Sequence, residues 1–202
     1  MSTNKQAVAT ERVAHDTPVE CTNAESWTRW LRRHHATAAG VWLRIAKKDS
    51  GIASIDHPAA LEEALCWGWI DGQRKSDDAQ YFLQRFTPRT RRSIWSQINR
   101  AKVLKLIDEG RMQPAGLAEI ERAKADGRWD AAYEASSTAT VPPDLQAALD
   151  ANKKAAKFFA ALDARNRFAV LFRIQGAKKP ETRARRIAQF VEMLAKGEKI
   201  HP

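Results

Sequence analysis

The residue types best suited to chemistry lie between Leu65 and Asn99, in the segments LCWGWIDGQRK and QRFTPRTRRSIWSQIN. Between Ala79 and Ile107, Arg85, Arg89, Arg91, Arg92, Arg100, Lys102 and Lys105 follow one another with no acidic residue among them. A run of one sign raises a local positive potential whatever the fold. Ser93 is a candidate helix N-cap, so backbone N–H groups would open towards solvent beside Arg89, Arg91 and Arg92. Helix N-termini take anions readily, and guanidinium groups add paired donors. The expectation is an anion-binding site drawn from Trp69, Asp71, Lys75, Arg85, Arg89, Ser93, Trp95 and Asn99. The plainer alternative, and the more common one, is a solvated basic face that neutralises nearby carboxylates.

Other reactive types are less well placed. If residues 69–75 form a strand, Trp69, Asp71 and Gln73 share one face, and Ile70, Gly72 and Arg74 the other. Asp71 would then meet arginines in an ion pair that fixes a hairpin, with a catalytic carboxylate as the weaker role. Gly68 and Gly72 serve the backbone, because neither GxxxxGK[ST] nor GxGxxG spacing is present. A nucleophilic Cys66 needs an adjacent base, and His57, nine residues upstream, does not share its helical turn. A buried structural thiol is the stronger reading. His34 and His35 suit a helix C-terminus, and no further ligand stands at metal-binding spacing. Neither metal nor cofactor is expected.

A second basic segment, Lys178, Lys179, Arg183, Arg185 and Arg186, opens the C-terminal stretch GAKKPETRARRIAQFVEMLAKGEK. With the 85–105 segment it supports an alternative reading, nucleic-acid binding through distributed basic patches. No RNP signature, zinc finger or helix-turn-helix pairing accompanies it.

The elements that must position these residues read as follows. Residues 1–19 are polar and aperiodic and suggest a flexible arm. A helix capped at Thr22 or Asn23 carries Trp27, Trp30, Leu31 and His34 on one face. Val41, Leu43 and Ile45 alternate with Trp42, Arg44 and Ala46 as in a half-buried strand. A second helix opens at Asp56-His57-Pro58 and ends at Gly68. Strands over 69–75 and 80–87 form a hairpin on strand 41–47, with Tyr81, Leu83 and Arg85 on one face and Phe82, Gln84 and Phe86 on the other. Helices are predicted from Ser93 to Glu109 (with Ile94, Ile98, Ala101 and Leu104 in register), from Pro114 to Asp126, and briefly at 129–133. After a loop at 135–140, helices follow at 144–151, 153–162, 164–175 and 180–196, the last burying Ile187, Phe190, Val191 and Leu194. The fold class is α+β: a small antiparallel sheet packed by helices, with a helical C-terminal half. One domain is expected over 20–202, its sheet-containing part ending near residue 110.

Composition bounds the function classes. The chain has 202 residues, enough to bury roughly two-thirds of its unfolded surface without disulfide or metal. Seven Trp supply much of the apolar area. The net charge of +10, from 34 Lys and Arg against 24 Asp and Glu, attracts nucleic acid, anionic lipid or acidic metabolites; an anionic small molecule or a protein partner is expected, with nucleic acid as the alternative. Two isolated cysteines, Cys21 and Cys66, suit a reducing compartment. The N-terminus shows no secretory h-region, and no stretch reaches the roughly 20 apolar residues of a membrane span. A cytoplasmic location is expected.

Four stretches together resemble the YdeI/OmpD-associated family, also called bacteriocin-protection proteins. They are EEALCWGWIDGQRK (62–75), RFTPRTRRSIWSQIN (85–99), GRMQPAGLAEIERAKADGRWDAAY (110–133) and AKKPETRARRIAQFVEMLAKG (177–197). The resemblance runs from about Trp27 to the end of the chain. It implies a role in envelope stress or in protection against bacteriocins and antimicrobial peptides; the basic residues themselves, rather than the resemblance, point to a non-catalytic binding protein for an anionic ligand or partner. It carries no catalytic set onto this sequence.

Overall fold

A computed structural model describes residues 13–14 and 17–202. Of the arm expected over 1–19, residues 1–12 and 15–16 lie outside the described residues. The chain forms two compact units, one ending at residue 131 and containing the sheet, the other formed by residues 96–98 and 132–202.

The sheet of the first unit is built on β3 (Ala38–Ala46), β4 (Trp69–Ser76) and β5 (Tyr81–Pro88). β5 lies in the middle, antiparallel to both neighbours, with Trp42 opposite Arg85, Leu43 opposite Gln84 and Asp71 opposite Phe86. Two short segments, β1 (Val13–Ala14) and β2 (Val19–Glu20), run parallel along the other edge of β3. The sheet is therefore mixed, where a purely antiparallel one was expected. These segments pair the outer N–H and C=O groups of β3, which an open edge would leave to solvent or to another chain.

One sheet face carries the core. Val41, Leu43, Ile45 and Phe86 are buried there, beside α1 (Ala24–His34) and α2 (His57–Cys66). Both helices start where the sequence places them. The Asn23 side chain accepts the Ser26 N–H at 2.9 Å, and Asp56 accepts that of Ala59 at 2.8 Å. Trp27 of α1 stacks on Trp30 at 5.1 Å between ring centroids and reaches Phe86 at 5.4 Å, while its indole N–H donates to the Ala60 carbonyl at 3.0 Å. Burying one such ring contributes about 4–6 kcal/mol by area, provided its N–H is satisfied as here. Gly68, at φ +73°, turns the chain from α2 into β4, and residues 115–119 approach it so closely that a Cβ would stand 2.9 Å from the Ala115 carbonyl oxygen.

All but the first two residues of α3 (Gln97–Asp108) and the whole of α4 (Pro114–Ala125) complete this unit. The sequence reading placed α4 with the helical half. It gathers with the sheet instead, because Gly116 lets it press on the end of α2, where a Cβ would overlap the Cys66 carbonyl. α3 starts four residues later than Ser93, and its inward face is Val103 and Leu106. Ile94, Ile98 and Leu104, expected in register on one face, are 54%, 51% and 48% exposed. Apolar residues surround this helix on several sides, so periodicity alone could not choose the face. Residues 129–131 form a turn and Tyr133 a single bridge to Ser96, with Trp129 and Ala132 buried, rather than a helix.

The second unit contains α5 (Pro143–Asp150), α6 (Lys153–Ala160), α7 (Ala164–Gln175) and α8 (Pro180–Ala195), close to the predicted bounds. Leu145, Leu149, Phe159, Val170, Leu171, Ile174, Ile187 and Leu194 form its core, with Phe190 and Val191 packed against it.

Candidate functional site

Strand alternation and one bulge decide where the candidate residues go. β4 carries an irregularity between Asp71 and Arg74, so Gly72 and Gln73 together face the stretch of β5 at Arg85. The buried Gln84 side chain stabilises this bulge, donating to the Gly72 and Gln73 carbonyls at 3.0 and 3.2 Å. An extra residue reverses the facing of everything beyond it. Arg74 consequently joins Asp71 on the helix-covered face, where it lies 3.6 Å over the Phe82 ring. Lys75 turns to the opposite face with Arg85. The simple alternation expected for residues 69–75 stops at Asp71.

Trp69 is a core residue, 1% exposed, and its indole N–H donates to the His35 carbonyl at 3.2 Å. Among the described residues Asp71 pairs with no arginine. Its Oδ2 lies 3.0 Å from Nε2 of His57, both side chains about one-third exposed. This pair was not foreseen, since it joins residues 14 apart on a helix and a strand.

Arg89, Ser93 and Trp95 sit in a structural knot. The Arg89 guanidinium is 4% exposed, lies 3.7 Å over the Trp95 ring and donates to the Ile94 carbonyl at 3.2 Å. Arg128 binds Asp126 and donates to the Ser93 carbonyl at 2.9 Å, and Arg122 pairs with Glu119. Trp129 stands edge-on to Trp95 at 5.1 Å. Because α3 begins at Gln97, Ser93 caps no helix; its Oγ accepts the Thr90 N–H at 2.9 Å. The first N–H of α3 is itself satisfied, donating to the Tyr133 carbonyl at 2.9 Å. Asn99 lies half-buried in the first turn of α3. The helix start expected at Ser93 thus falls at Gln97, and Arg89, Ser93 and Trp95 belong to this buried cluster.

Lys75 and Arg85 come together around a residue outside the expected eight. Trp42 projects from β3 onto the face opposite the core, with the Lys75 Nζ 4.4 Å and the Arg85 Cζ 5.6 Å from its ring centroid. Gly40 makes room for the arginine: at φ +153°, a Cβ there would stand 2.7 Å from an Arg85 guanidinium nitrogen. Among the described residues no carboxylate pairs with Lys75 or Arg85. Farther along the same face, Arg44 lies 3.7 Å over Tyr81 and is neutralised by Glu20, Asp77 and Asp78. The signal for Trp42 was present in the sequence, as the one aromatic residue at an outward position of the 41–46 alternation.

Much of the remaining basic charge is compensated. Lys102 pairs with Glu62, Lys105 with Glu109 and Arg183 with Asp144, while Arg186 donates to the Arg173 carbonyl. Burial, reinforced by the Glu63 and Glu62 carboxylates, pushes the Cys66 thiol up to about 12, which leaves it protonated and unreactive. Among the described residues no group of three His, Cys, Asp or Glu could hold a metal ion. Among the described residues no helix is long and apolar enough to cross a membrane.

Residues 19–119, half of the chain, match a family model described as a domain of unknown function (DUF8412). Residues 138–197 match one described as bacteriocin-protection, YdeI or OmpD-associated. No curated protein and no solved structure matches the chain.

Proposed function

We propose, for a chain that belongs over residues 19–119 to the family described as a domain of unknown function (DUF8412) and matches the bacteriocin-protection, YdeI or OmpD-associated model over residues 138–197, a non-catalytic role: binding of an anionic ligand or partner on the open face of its sheet. One observation carries this reading. Lys75 and Arg85 flank the half-buried Trp42 ring with no carboxylate partner among the described residues. Each cation gains about 0.5–1 kcal/mol from the ring at an exposed site and keeps its remaining donors for a ligand. The physiological setting we propose is protection against bacteriocins or other envelope stress, exerted from the cytoplasm.

The test compares the melting temperature of the protein and its Lys75→Gln/Arg85→Gln variant against nucleotides, sugar phosphates, carboxylates and a single-stranded oligonucleotide. A ligand that binds the folded state raises the midpoint in proportion to RT ln(1 + [L]/Kd). A rise with one small anion, absent in the variant and weakly dependent on salt, is the expected result. A rise confined to the oligonucleotide and lost steeply with salt would transfer the reading to nucleic-acid binding. If no anion separates protein from variant, the proposed face is wrong.

A further inference from the structure

The second unit contains a cleft of about 630 Å³ along the outer side of α7, within the range of small-molecule sites. Its floor is apolar, made by Phe168, Phe172 and Ala169, and the two phenylalanine rings lie 5.8 Å apart. Arg165, Arg173 and His201 stand around that floor, and no carboxylate lines it. Among the described residues the Arg165 side chain has no hydrogen bond or ion pair, and Arg173 makes one side-chain bond, to the Ala169 carbonyl (3.2 Å). The cleft wall is held in place. The buried Asn166 accepts the His201 N–H at 2.8 Å and donates to the His201 carbonyl at 3.3 Å, fastening the C-terminal segment against the start of α7. The nearby Asp163 carboxylate accepts both the backbone N–H and the side-chain amide of Asn166, at 2.8 and 2.9 Å.

We propose that this cleft is a binding site for a small aromatic carboxylate, distinct from the sheet face of the first unit. The apolar floor suits a flat ring, which Phe168 and Phe172 contact by face or edge. The cationic rim suits one carboxylate, which a guanidinium holds through two parallel hydrogen bonds. A neutral ring compound lacks the second contribution, and a simple inorganic anion lacks the first.

The probes are naphthalene-2-carboxylate and its neutral isostere naphthalene-2-carboxamide, titrated calorimetrically into the whole protein. The carboxylate binds, and the carboxamide binds about tenfold or more weakly. Arg165→Gln/Arg173→Gln removes that preference while leaving the carboxamide unchanged, and Phe168→Ala weakens both. Amide-resonance shifts place the carboxylate at residues 164–173 and His201. Arg165 and Arg173 are exposed, so the double variant folds, which its melting curve verifies. Equal affinity for acid and amide, no binding of the acid at millimolar concentration, or an undiminished preference in the double variant would each overturn the proposal.

Discussion

The two faces of the sheet use the same residue types for opposite ends. On the covered face, Trp69 is 1% exposed, its indole N–H bonded to a carbonyl and its ring edge-on to Trp30 at 5.7 Å. On the other face, Trp42 is half-buried, its ring flanked by Lys75 and Arg85 rather than by hydrophobic neighbours alone. Arginine repeats the contrast within four residues of one chain segment. Arg89 lies sealed over Trp95 with a carbonyl acceptor, whereas Arg85 stays accessible beside Trp42 and close to Gly40. An aromatic–cation pair is a packing device where water is excluded. The same pair is a recognition surface where the cation keeps solvent-facing donors.

Substitutions that pair one member of each face sharpen this contrast. Trp69→Ala should destabilise the protein by about 3–5 kcal/mol in urea denaturation, the range for emptying an aromatic site in a core. Trp42→Ala should lose far less stability yet abolish the anion response of the melting temperature. Comparable losses for the two would mean that Trp42 is part of the core. Replacing the arginines with the similarly shaped Met gives a smaller difference. Arg89→Met should lose about 2–3 kcal/mol, since it removes a buried, hydrogen-bonded charge and strands its acceptor. Arg85→Met should stay within about 0.5 kcal/mol, as surface changes do. Equal effects at 85 and 89 would erase the distinction between packing and recognition.

A pH-dependent effect concerns Cys66, buried beneath the covered face. Its folded thiol is pushed up from an ordinary 9.0 to about 12, so the folded state holds the proton more tightly than the unfolded chain does. The associated stability is fully present below about pH 9 and is lost as pH rises towards 12. Between pH 8 and 11 the melting temperature should therefore fall more steeply for the protein than for Cys66→Ala. Parallel curves would show that the thiol ionises as freely folded as unfolded.

Several elements were legible from local pattern. Val41, Leu43 and Ile45 turned inward as their alternation required. Helices α5 to α8 fell within two residues of the predicted bounds, because caps and apolar period agreed there. α3 was not legible in the same way. Apolar residues occur on more than one of its sides, and the choice of Val103 and Leu106 over Ile98 and Leu104 was made by its neighbours. The candidate site was legible in composition but not in arrangement. Lys75 and Arg85 were identified by charge, whereas Trp42 and the His57–Asp71 pair arise from strand and helix partners far apart in sequence.

The sequence by itself determined a basic chain, its cysteines without a disulfide framework, the strand and helix periods, and a concentration of arginine and tryptophan between residues 65 and 99. Those properties depend on neighbours a few positions away, where backbone preference and side-chain period act. The tertiary structure alone decided which arginines are sealed and which stay open. It set that division through the register of β5 between β3 and β4, the bulge after Asp71 that sends Lys75 across the sheet, and the room that Gly40 leaves for Arg85. Each of these depends on pairing between distant segments, whose one-residue shifts exchange the two faces of a strand.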